Sequence, residues 1–406
     1  MDPRDSSCSE RATREDPLVR WLLREGGHAR SLVDFVDNFI PQLRAEGVAV
    51  DRFSLNLRLL HPLFAACSLW WTPERGTVRN NWLRALEGGE AFQSSPIAKI
   101  YSERAPIRRR LVGAALESVE FPVLREFQAR GGTDYLAMPL VGSDGSVWAI
   151  SYVTNAPGGF DDDALARLDQ LAPALALVVE LWSHRELSAT LLETYVGRTT
   201  GRRVLEGSIA RGDRERLRAV VWYCDLRGYT RLSEANSPDL VLTLLDHYFE
   251  AVVGPVREHD GEVLKFMGDG MLAIFPIAPA GDEDGELHER AVCRAALTAA
   301  RAAVARVAAL EPPPGLQERV RFGLALHVGE VVYGNIGAPD RLDFTVVGAA
   351  VNRASRIEGL CGALGATVLA SADFAARASE AFRSAGRFEL KGVAEPVEVF
   401  ALLEGT

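Results

Sequence analysis

Apolar residues in the first half of the chain follow two different periods. Four short apolar runs predict β-strands, and the segment LVDFVDNFIPQL, which repeats its apolar residues every three to four positions, predicts an amphipathic helix. Asp-Gly lies between two of the strands in the loop VGSDGSV, residues 141–147, which strongly indicates a hairpin. The predicted strands are SLNLRLLH, AACSLWW, YLAMPLV and VWAISYVT. The pattern therefore predicts a sheet flanked by helices.

A longer helical pattern follows in the segment GGFDDDALARLDQLAPALALVVELW. Turn residues precede an acidic first turn, and apolar residues then recur at positions 168, 171, 175, 178 and 182. This spacing of three and four residues is typical of a coiled-coil seam, and Pro173 predicts a kink early in the helix. Residues 195–218, YVGRTTGRRVLEGSIARGDRERLR, are rich in Gly and Arg with little apolar periodicity, so we interpret them as a linker.

From residue 218 onward, strand and helix patterns alternate. The strand AVVWYCDL is followed by the helix PDLVLTLLDHYFEAVVGPV, by two strands, EVLKFMG and MLAIFP, joined by Asp-Gly, and by an alanine-rich helix from about 286 to 309. The strands RFGLALHV and DFTVVG and the helix AAVNRASRIEGLC complete the pattern. The order predicts a ferredoxin-like βαββαβ arrangement, and the whole chain is placed in the α/β (α+β) class.

Composition narrows the kind of protein. The 406 residues are enough for two or three domains of roughly 150 residues each, and 48% hydrophobic with 25% charged residues is ordinary for a globular chain. We expect a cytoplasmic protein, because no apolar run is long enough to span a membrane and the N-terminus has no secretory signal. The net charge of −10 opposes binding to nucleic acid or to an anionic membrane. The five cysteines form no CxxC pair, and neither His28 nor His61 is assigned a role.

Two aspartates stand at positions where a carboxylate is costly without a partner. Asp225 ends a buried strand in WYCDLRGYT, and Asp269 interrupts the two strands in KFMGDGM. If those strands are neighbours, both carboxylates converge at one edge of the sheet, where they could hold Mg²⁺. Taken singly, each aspartate could instead cap a turn or occupy a hairpin turn.

Three segments, WYCDLRGYT, EVLKFMGDG and DFTVVGAAVNRASR, resemble in order and separation the signature segments of the class III nucleotidyl cyclase catalytic domain. The N-terminal half resembles a degenerate GAF domain in its hairpin, its FDDDAL turn and its long exit helix. The resemblance implies a disordered N-terminus over 1–16, a GAF-like regulatory domain over 17–165, a coiled-coil and linker segment over 166–217, and a catalytic domain over 218–406.

The resemblance also implies a metal site. Asp225 and Asp269 match the family's two metal-binding aspartates, which hold two Mg²⁺ or Mn²⁺ ions on the nucleotide, and Leu226 is a further metal-binding position. The turn after Asp225 matches the family's phosphate-cradling loop. Its implied substrate-binding residues are Leu226, Gly228, Tyr229 and Thr230.

Catalytic roles are implied for a polar pair on the last predicted helix. Asn352 and Arg356 match the family's transition-state pair, Asn352 orienting the ribose and Arg356 stabilising charge on the α-phosphoryl group. Their i, i+4 spacing puts both side chains on one side of the helix. Lys391 in FELKGVAEP matches the lysine that reaches the terminal phosphates.

Base selection is assigned to Lys265 and Thr345. Adenine N1 can accept from the Lys265 ammonium, and the Thr345 hydroxyl can accept from the 6-amino group, so ATP is favoured. Guanylyl cyclases of the family typically have Glu in place of Lys265, and many members have Asp in place of Thr345. The Lys and Thr combination resembles a subgroup that includes bicarbonate-responsive cyclases, which leaves bicarbonate sensitivity open. Some relatives place a phosphate-binding Arg where this chain has Gly323, and the role of Arg321 nearby stays open.

The expected function is that of an adenylate cyclase, which converts ATP to 3′,5′-cyclic AMP and pyrophosphate. The 3′-hydroxyl of the ribose would attack the α-phosphate with the help of two metal ions at sites shared across a homodimer. An unknown small-molecule or protein signal at the N-terminal domain would regulate it. The alternatives are a catalytically silent regulatory or scaffold protein with the same fold, and a guanylate cyclase, which Lys265 opposes. Diguanylate synthesis is opposed by the absence of a GGDEF-like hairpin.

Overall fold

The chain divides into two compact units, Met1–Leu191 and Leu192–Thr406. A computed structural model describes residues 16–86, 88–113, 120–210, 212, 214–278, 282–316, 319–378 and 382–403. The predicted disordered N-terminus, 1–16, lies outside these ranges except for its last residue. The mixed α/β class predicted from the sequence is confirmed, since both units contain a sheet with helices packed on it.

The N-terminal unit is built on a six-stranded sheet. Its strands are β1 Arg52–Arg58, β2 Phe64–Thr72, β3 Gly76–Leu83, β4 Ile107–Arg110, β5 Asp134–Val141 and β6 Val147–Thr154. The helices that begin in this unit are α1 Pro17–Glu25, α2 Leu32–Ala45, α3 Glu90–Gln93, α4 Pro96–Glu103, α5 Pro122–Ala129 and α6 Asp162–Val196, with a 3₁₀ turn at Arg84–Leu86. The strand order is β3-β2-β1-β6-β5-β4, and each neighbouring pair is antiparallel.

The predicted hairpin and amphipathic helix are confirmed. Strands β5 and β6 pair from Val141 opposite Val147, and the Asp144 carboxylate accepts a hydrogen bond of 2.8 Å from the Ser146 amide in the turn. Helix α2 begins after Ser31, whose side chain caps it, and its apolar stripe is buried in the core of the unit. Local turn and cap chemistry therefore agrees with the apolar pattern in this region.

Helix α6 requires a correction. The five positions predicted to form a coiled-coil seam, 168, 171, 175, 178 and 182, are all buried in the N-terminal unit's own core. The indole of Trp182 also donates a 2.9 Å hydrogen bond to the carbonyl oxygen of Gly26. These side chains therefore pack within the unit and do not present a seam to a twin helix. The large apolar side chains that α6 does expose are Leu177, Leu181, Leu191 and Tyr195.

The C-terminal unit contains an eight-stranded sheet. Its strands are β7 Arg214–Leu226, β8 Glu262–Met267, β9 Gly270–Ile277, β10 Phe322–Ala338, β11 Arg341–Val347, β12 Val368–Ser371, β13 Phe382–Phe388 and β14 Val397–Leu402. Its helices are α7 Arg198–Leu205, α8 Tyr229–Ala235, α9 Pro238–Glu258, α10 Asp282–Ala308, α11 Ala349–Glu358, α12 Cys361–Leu364 and α13 Ala372–Ala378. The strand order is β13-β14-β12-β10-β7-β9-β8, and β11 pairs with β10.

The predicted ferredoxin-like order is present in the centre of this sheet. Strands β10, β7, β9 and β8 lie side by side and are antiparallel, as the βαββαβ arrangement requires. Alternate residues of β7 point to opposite faces. Val220 and Trp222 pack against α9 and α10, whereas Ala219 and Val221 pack with Ala354 of α11. Helix α11 therefore lies on the opposite face of the sheet from α9 and α10.

The segment interpreted as a linker contains a helix, α7, which the sequence pattern missed. Thr200 in α7 is fully buried, and its amide and hydroxyl both donate to Oε1 of Glu262 on β8, at 3.2 and 3.1 Å. The Tyr333 hydroxyl donates to the same carboxylate oxygen at 3.0 Å. Polar contacts hold α7 on the sheet here, which explains why apolar periodicity did not reveal it. Strand β7 also begins at Arg214, earlier than predicted.

None of the helices that the structure describes combines the length and the apolar character needed to cross a membrane.

Candidate active site

Asp225 lies at the end of the central strand β7. It stands opposite Gly323 of β10 in the antiparallel ladder, so the two residues project from the same face of the sheet. Its Oδ1 accepts a hydrogen bond of 3.1 Å from the amide of Leu226. The face is the one covered by α11, because the odd-numbered residues of β7 pack against that helix.

Asp269 lies in the turn between β8 and β9. Met267 pairs with Gly270, so the turn residues are Gly268 and Asp269, and Gly268 has a positive φ of 67°. Glycine at the first position matches a two-residue hairpin turn of the kind that needs positive φ there. Asp269 is therefore the second turn residue, whereas the Asp-Gly pair had suggested that it would be the first. The turn packs closely on β7, since a Cβ on Gly270 would be 3.3 Å from Oδ1 of Asp225.

The two carboxyl groups meet at this edge of the sheet, as predicted. The pKa of Asp225 is raised to about 7, first by burial and then by hydrogen bonding to the Asp269 carboxyl and by its negative charge, with a smaller contribution from Glu358. Two carboxylates this close repel each other unless a proton or a cation lies between them. The site is therefore built to hold positive charge.

A divalent cation fits this donor set. The described residues contain no group of three or more His, Cys, Asp or Glu side chains arranged to hold a metal ion. Mg²⁺, however, is usually held by only one or two carboxylates together with substrate phosphates and water. Asp225, Asp269 and the backbone carbonyl of Leu226 match that requirement.

The turn after Asp225 carries the four predicted substrate-binding residues. Leu226 is buried, Gly228 has a left-handed conformation with φ of 73°, and the Leu232 amide donates to the Gly228 carbonyl at 3.0 Å. Tyr229 begins α8 and is half-buried, whereas Thr230 is exposed. Gly228 thus lets the chain turn sharply from the strand into the helix.

Lys265 and Thr345 lie on neighbouring elements. Nζ of Lys265 on β8 forms an ion pair of 3.2 Å with Oδ2 of Asp343 on β11, two residues before Thr345 and on the same face of that strand. Thr345 is 3% exposed, and its hydroxyl has no hydrogen-bond partner among the residues the structure describes. A buried hydroxyl without a partner is costly and marks a position where a ligand could supply one.

Asn352 and Arg356 lie on α11 away from the sheet. The helix buries Ala350, Ala354 and Glu358, whereas Asn352 is exposed and Arg356 is half-buried. Within the described ranges, neither side chain forms a hydrogen bond or an ion pair. The structure therefore does not bring this pair to the two aspartates of the same chain.

Lys391 is also separate from the aspartates in the sheet order. It is exposed in the turn that follows β13, next to the buried Leu390, and β13 forms the edge of the sheet opposite β8. Arg321 is exposed, and its backbone carbonyl accepts a 2.7 Å hydrogen bond from the amide of Arg227. A role for the Arg321 side chain is not indicated by these contacts.

Two residues that the sequence patterns did not single out lie beside the aspartates. Oε1 of Glu358 is 3.3 Å from Nη2 of Arg227, and the Glu358 side chain is only 8% exposed. Burial raises the pKa of Glu358, while the charge of Arg227 acts in the opposite direction. A signal for Glu358 existed in the sequence, because it is a carboxylate on the apolar stripe of α11 that also contains Ala354 and Ile357.

Both units of the chain match models of known protein families. Residues 215–404 match the family model of the adenylate and guanylate cyclase catalytic domain, and residues 50–179 match that of the GAF domain. Adenylate cyclase 1 of Rhizobium meliloti (strain 1021) is 34% identical over 191 residues, which are 46% of this chain and 28% of that protein. The chain spans about half the length, or less, of the curated relatives it matches, 28% and 45% for two of them.

The solved structures that match part of this chain include cyclases that are named as an adenylyl or a guanylyl cyclase. The adenylyl cyclase CyaB from P. aeruginosa is 22% identical with a TM-score of 0.39, covering 48% of this chain and 97% of that one. The guanylyl cyclase Cya2 is 31% identical with a TM-score of 0.36, covering 46% of this chain and 92% of that one.

Proposed function

Because residues 215–404 form an adenylate and guanylate cyclase catalytic domain and a GAF domain precedes it, we propose that this protein is an adenylate cyclase that forms 3′,5′-cyclic AMP and pyrophosphate from ATP. The observation that carries the proposal is the convergence of the Asp225 and Asp269 carboxyl groups at one edge of the sheet, where burial first and then Asp269 raise the pKa of Asp225 to about 7. A cation site of this kind at the end of a central strand is what a polyphosphate substrate requires in a chain of net charge −10.

Asp225, Asp269 and the Leu226 carbonyl would hold two Mg²⁺ or Mn²⁺ ions together with the nucleotide phosphates. When bound, these ions make the ribose 3′-hydroxyl more acidic and offset the negative charge of the triphosphate and of the leaving pyrophosphate. The backbone of the turn at residues 226–230 lies beside the aspartates and would contact the phosphates.

Base recognition is assigned to Lys265 and Thr345. The Thr345 hydroxyl is buried without a partner among the described residues, so a 6-amino group of adenine would satisfy it. The Lys265 ammonium would donate to adenine N1, and its present partner, Asp343, is 61% exposed and can return to water at little cost. Guanine presents a donor at N1, so a lysine placed at that position pairs with adenine N1 and leaves the N1–H of guanine without an acceptor.

The base-reading Lys265 and Thr345, together with Asn352, Arg356 and Lys391, would act on the nucleotide bound to the aspartates of a second copy of the chain. Arg356 would stabilise charge on the α-phosphoryl group, Asn352 would orient the ribose, and Lys391 would contact the terminal phosphates. The exposure of Asn352 and the absence of partners for it and Arg356 within the described ranges support this division. A two-fold homodimer would then contain two equivalent sites.

The test is to incubate the purified protein with ATP or GTP and Mn²⁺ and to separate the products by chromatography. Cyclic AMP formed from ATP, with GTP used at least about tenfold less well in kcat/KM, is the expected result. Asp246→Asn is a matched control, because Asp246 is an exposed carboxylate on α9, and this variant should retain activity. Cyclic GMP as the main product would contradict the base assignment, and no cyclic product would contradict the proposed function.

A further inference from the structure

Arg227 follows Asp225 by two residues, in the turn between β7 and α8. Its side chain is 27% exposed, and Nη2 lies 3.3 Å from Oε1 of Glu358 and 3.4 Å from the Glu358 carbonyl oxygen. A guanidinium carries five N–H donors in a planar fork, so these two long contacts leave donors that can bind another anion. Arg227 is thus held beside Glu358, two residues along the chain from Asp225, without being fully engaged.

Gly323 provides the space for this guanidinium. It pairs with Asp225 across the ladder and faces the same side of the sheet. A Cβ on Gly323 would collide with Nη2 of Arg227 and with Oε1 of Glu358, and a Cβ on Gly362 would lie 3.0 Å from Nη1 of Arg227. The absence of side chains at these two glycines therefore leaves room for the guanidinium over Gly323, the residue that pairs with Asp225.

The negative charge of the neighbouring carboxyl groups favours an arginine at position 227. Asp225, Asp269 and Glu358 bring three carboxyl groups to one edge of the sheet, and Arg227 forms an ion pair with Glu358. The ion pair with Glu358 holds the guanidinium over Gly323, so the fork is positioned before any ligand arrives. A planar fork fixed in this way suits the paired oxygens of a phosphate group.

We propose that Arg227 binds the triphosphate of the nucleotide and that Glu358 is the positioning residue that holds its guanidinium over Gly323. This inference rests on the proposed function, which identifies the nucleotide as ATP. Arg227 would act from the same chain as Asp225 and Asp269, on the phosphate oxygens and not on the base.

The experiment measures binding of tripolyphosphate in the presence of Mn²⁺ to the full chain by isothermal titration calorimetry, with adenosine as a second probe. Arg227→Ala should weaken tripolyphosphate binding by roughly 10- to 100-fold, the range for hydrogen bonds to charged groups, and leave adenosine binding unchanged. Arg227→Lys, which keeps the charge but not the fork, should give an intermediate loss. The KM for ATP should rise in the same order.

Two further variants keep the test decisive. Gly323→Ala retains Arg227 but fills the space of its guanidinium, so it should also weaken tripolyphosphate binding if Arg227→Ala fails to fold. Arg321→Ala removes an exposed neighbouring cation and keeps the backbone carbonyl that accepts from the Arg227 amide, so it should bind as the unchanged protein does.

Unchanged tripolyphosphate affinity in Arg227→Ala or in Gly323→Ala would overturn the proposal. An equal loss in Arg321→Ala would also overturn it, because the effect would then reflect net positive charge. If the unchanged protein binds tripolyphosphate through Arg227 but makes no cyclic nucleotide, the proposed function fails and the Arg227 assignment stands. If it makes cyclic AMP and Arg227→Ala binds tripolyphosphate normally, only the Arg227 assignment fails.

Discussion

Replacing Asp225 by Asn should stabilise the metal-free protein while abolishing activity. The pKa of Asp225 is raised to about 7 from its ordinary value of 3.8, so the folded chain holds this proton more tightly than the unfolded chain. Its contribution to stability is fully present below pH 3.8 and is lost as the pH rises through 7. Above that range the ionised carboxylate beside Asp269 opposes folding, and an uncharged Asn avoids the cost.

The magnitude follows from the pKa. A rise of about three pKa units corresponds to about 4 kcal/mol. Asp225 is only half-buried, so solvent screening reduces this figure, and we take about 2 kcal/mol as the expected gain at pH 8. For a unit of this size, that gain raises Tm by about 4 to 8 °C.

The assay is differential scanning calorimetry of the full chain in EDTA, at pH 8 and at pH 4. Asp225→Asn should melt higher than the unchanged protein at pH 8 and at nearly the same temperature at pH 4. Adding Mg²⁺ at pH 8 should raise Tm of the unchanged protein and affect the variant much less. Asp246→Asn should show neither effect. The reasoning is refuted if Asp225→Asn gains nothing at pH 8, or gains equally at both pH values, because the two carboxylates would then not repel each other.

Three further predictions concern the shared site, the base and a buried histidine. Asp225→Ala and Arg356→Ala proteins should each be nearly inactive alone. Mixing them should restore about a quarter of the unmutated activity, because half the dimers are mixed and each mixed dimer has one intact site out of two. Separately tagged mixed dimers without activity would rule out a shared site. Lys265→Glu should lower kcat/KM for ATP by at least about tenfold. Tm should change little, since the ion pair between Lys265 and Asp343 is exposed. Equal use of ATP and GTP by the unchanged protein would contradict the base assignment. Burial lowers the pKa of His327 to about 4, so the contribution of His327 to stability should fall by about 3 kcal/mol as the pH falls from 6.5 to 4. The contribution of Asp225 is common to both proteins, so in urea unfolding the difference in stability between the unchanged protein and His327→Gln should change by that amount. A difference that stays constant with pH would contradict this assignment.

The apolar pattern predicted several buried strands, but it missed β12, which is buried along its whole length, as well as the exposed β3. Strand β6 begins and ends as expected, and β9 extends only one residue beyond each end of the predicted run. Strand β3, GTVRNNWL, is exposed along most of its length and is defined by its pairing with β2 and not by its own residues. Pairing with a neighbour is a property of the fold, so a single sequence carries little signal for such an edge strand.

The apolar stripe on α6 shows a second limit of prediction from sequence. Positions 168, 171, 175, 178 and 182 were correctly predicted to be buried, but the partner was wrong, because they pack in the core of their own unit. Apolar residues at intervals of three and four are required equally by a coiled coil and by a helix that covers a sheet. Spacing therefore identifies the buried side of a helix and does not identify what buries it.

Part of the candidate site could be predicted from the sequence, for a related reason. Asp225 and Asp269 interrupt apolar strands, which is costly enough to be noticed, and their approach follows from neighbouring strands. Arg227 lies in a polar turn where an arginine is unremarkable. Its position depends on Gly323 from a strand almost a hundred residues away, and a contact of that kind requires the fold.

The geometry of α11 explains why one copy of the chain should hold a nucleotide and still fail to turn it over. Glu358 faces the sheet and Arg227, and residues two apart on a helix point about 200° apart, so Arg356 faces away from the aspartates of its own chain. Arg356 could reach Asp225 only if α11 rotated and withdrew Ala354 from the core, where it is fully buried. In the proposed mechanism, the Arg356 guanidinium would therefore act on a second copy. Dilution should consequently lower specific activity while tripolyphosphate binding to Arg227 and the aspartates persists, which a dilution series with both measurements would show. Parallel loss of binding and activity would mean instead that the phosphate site itself requires the partner.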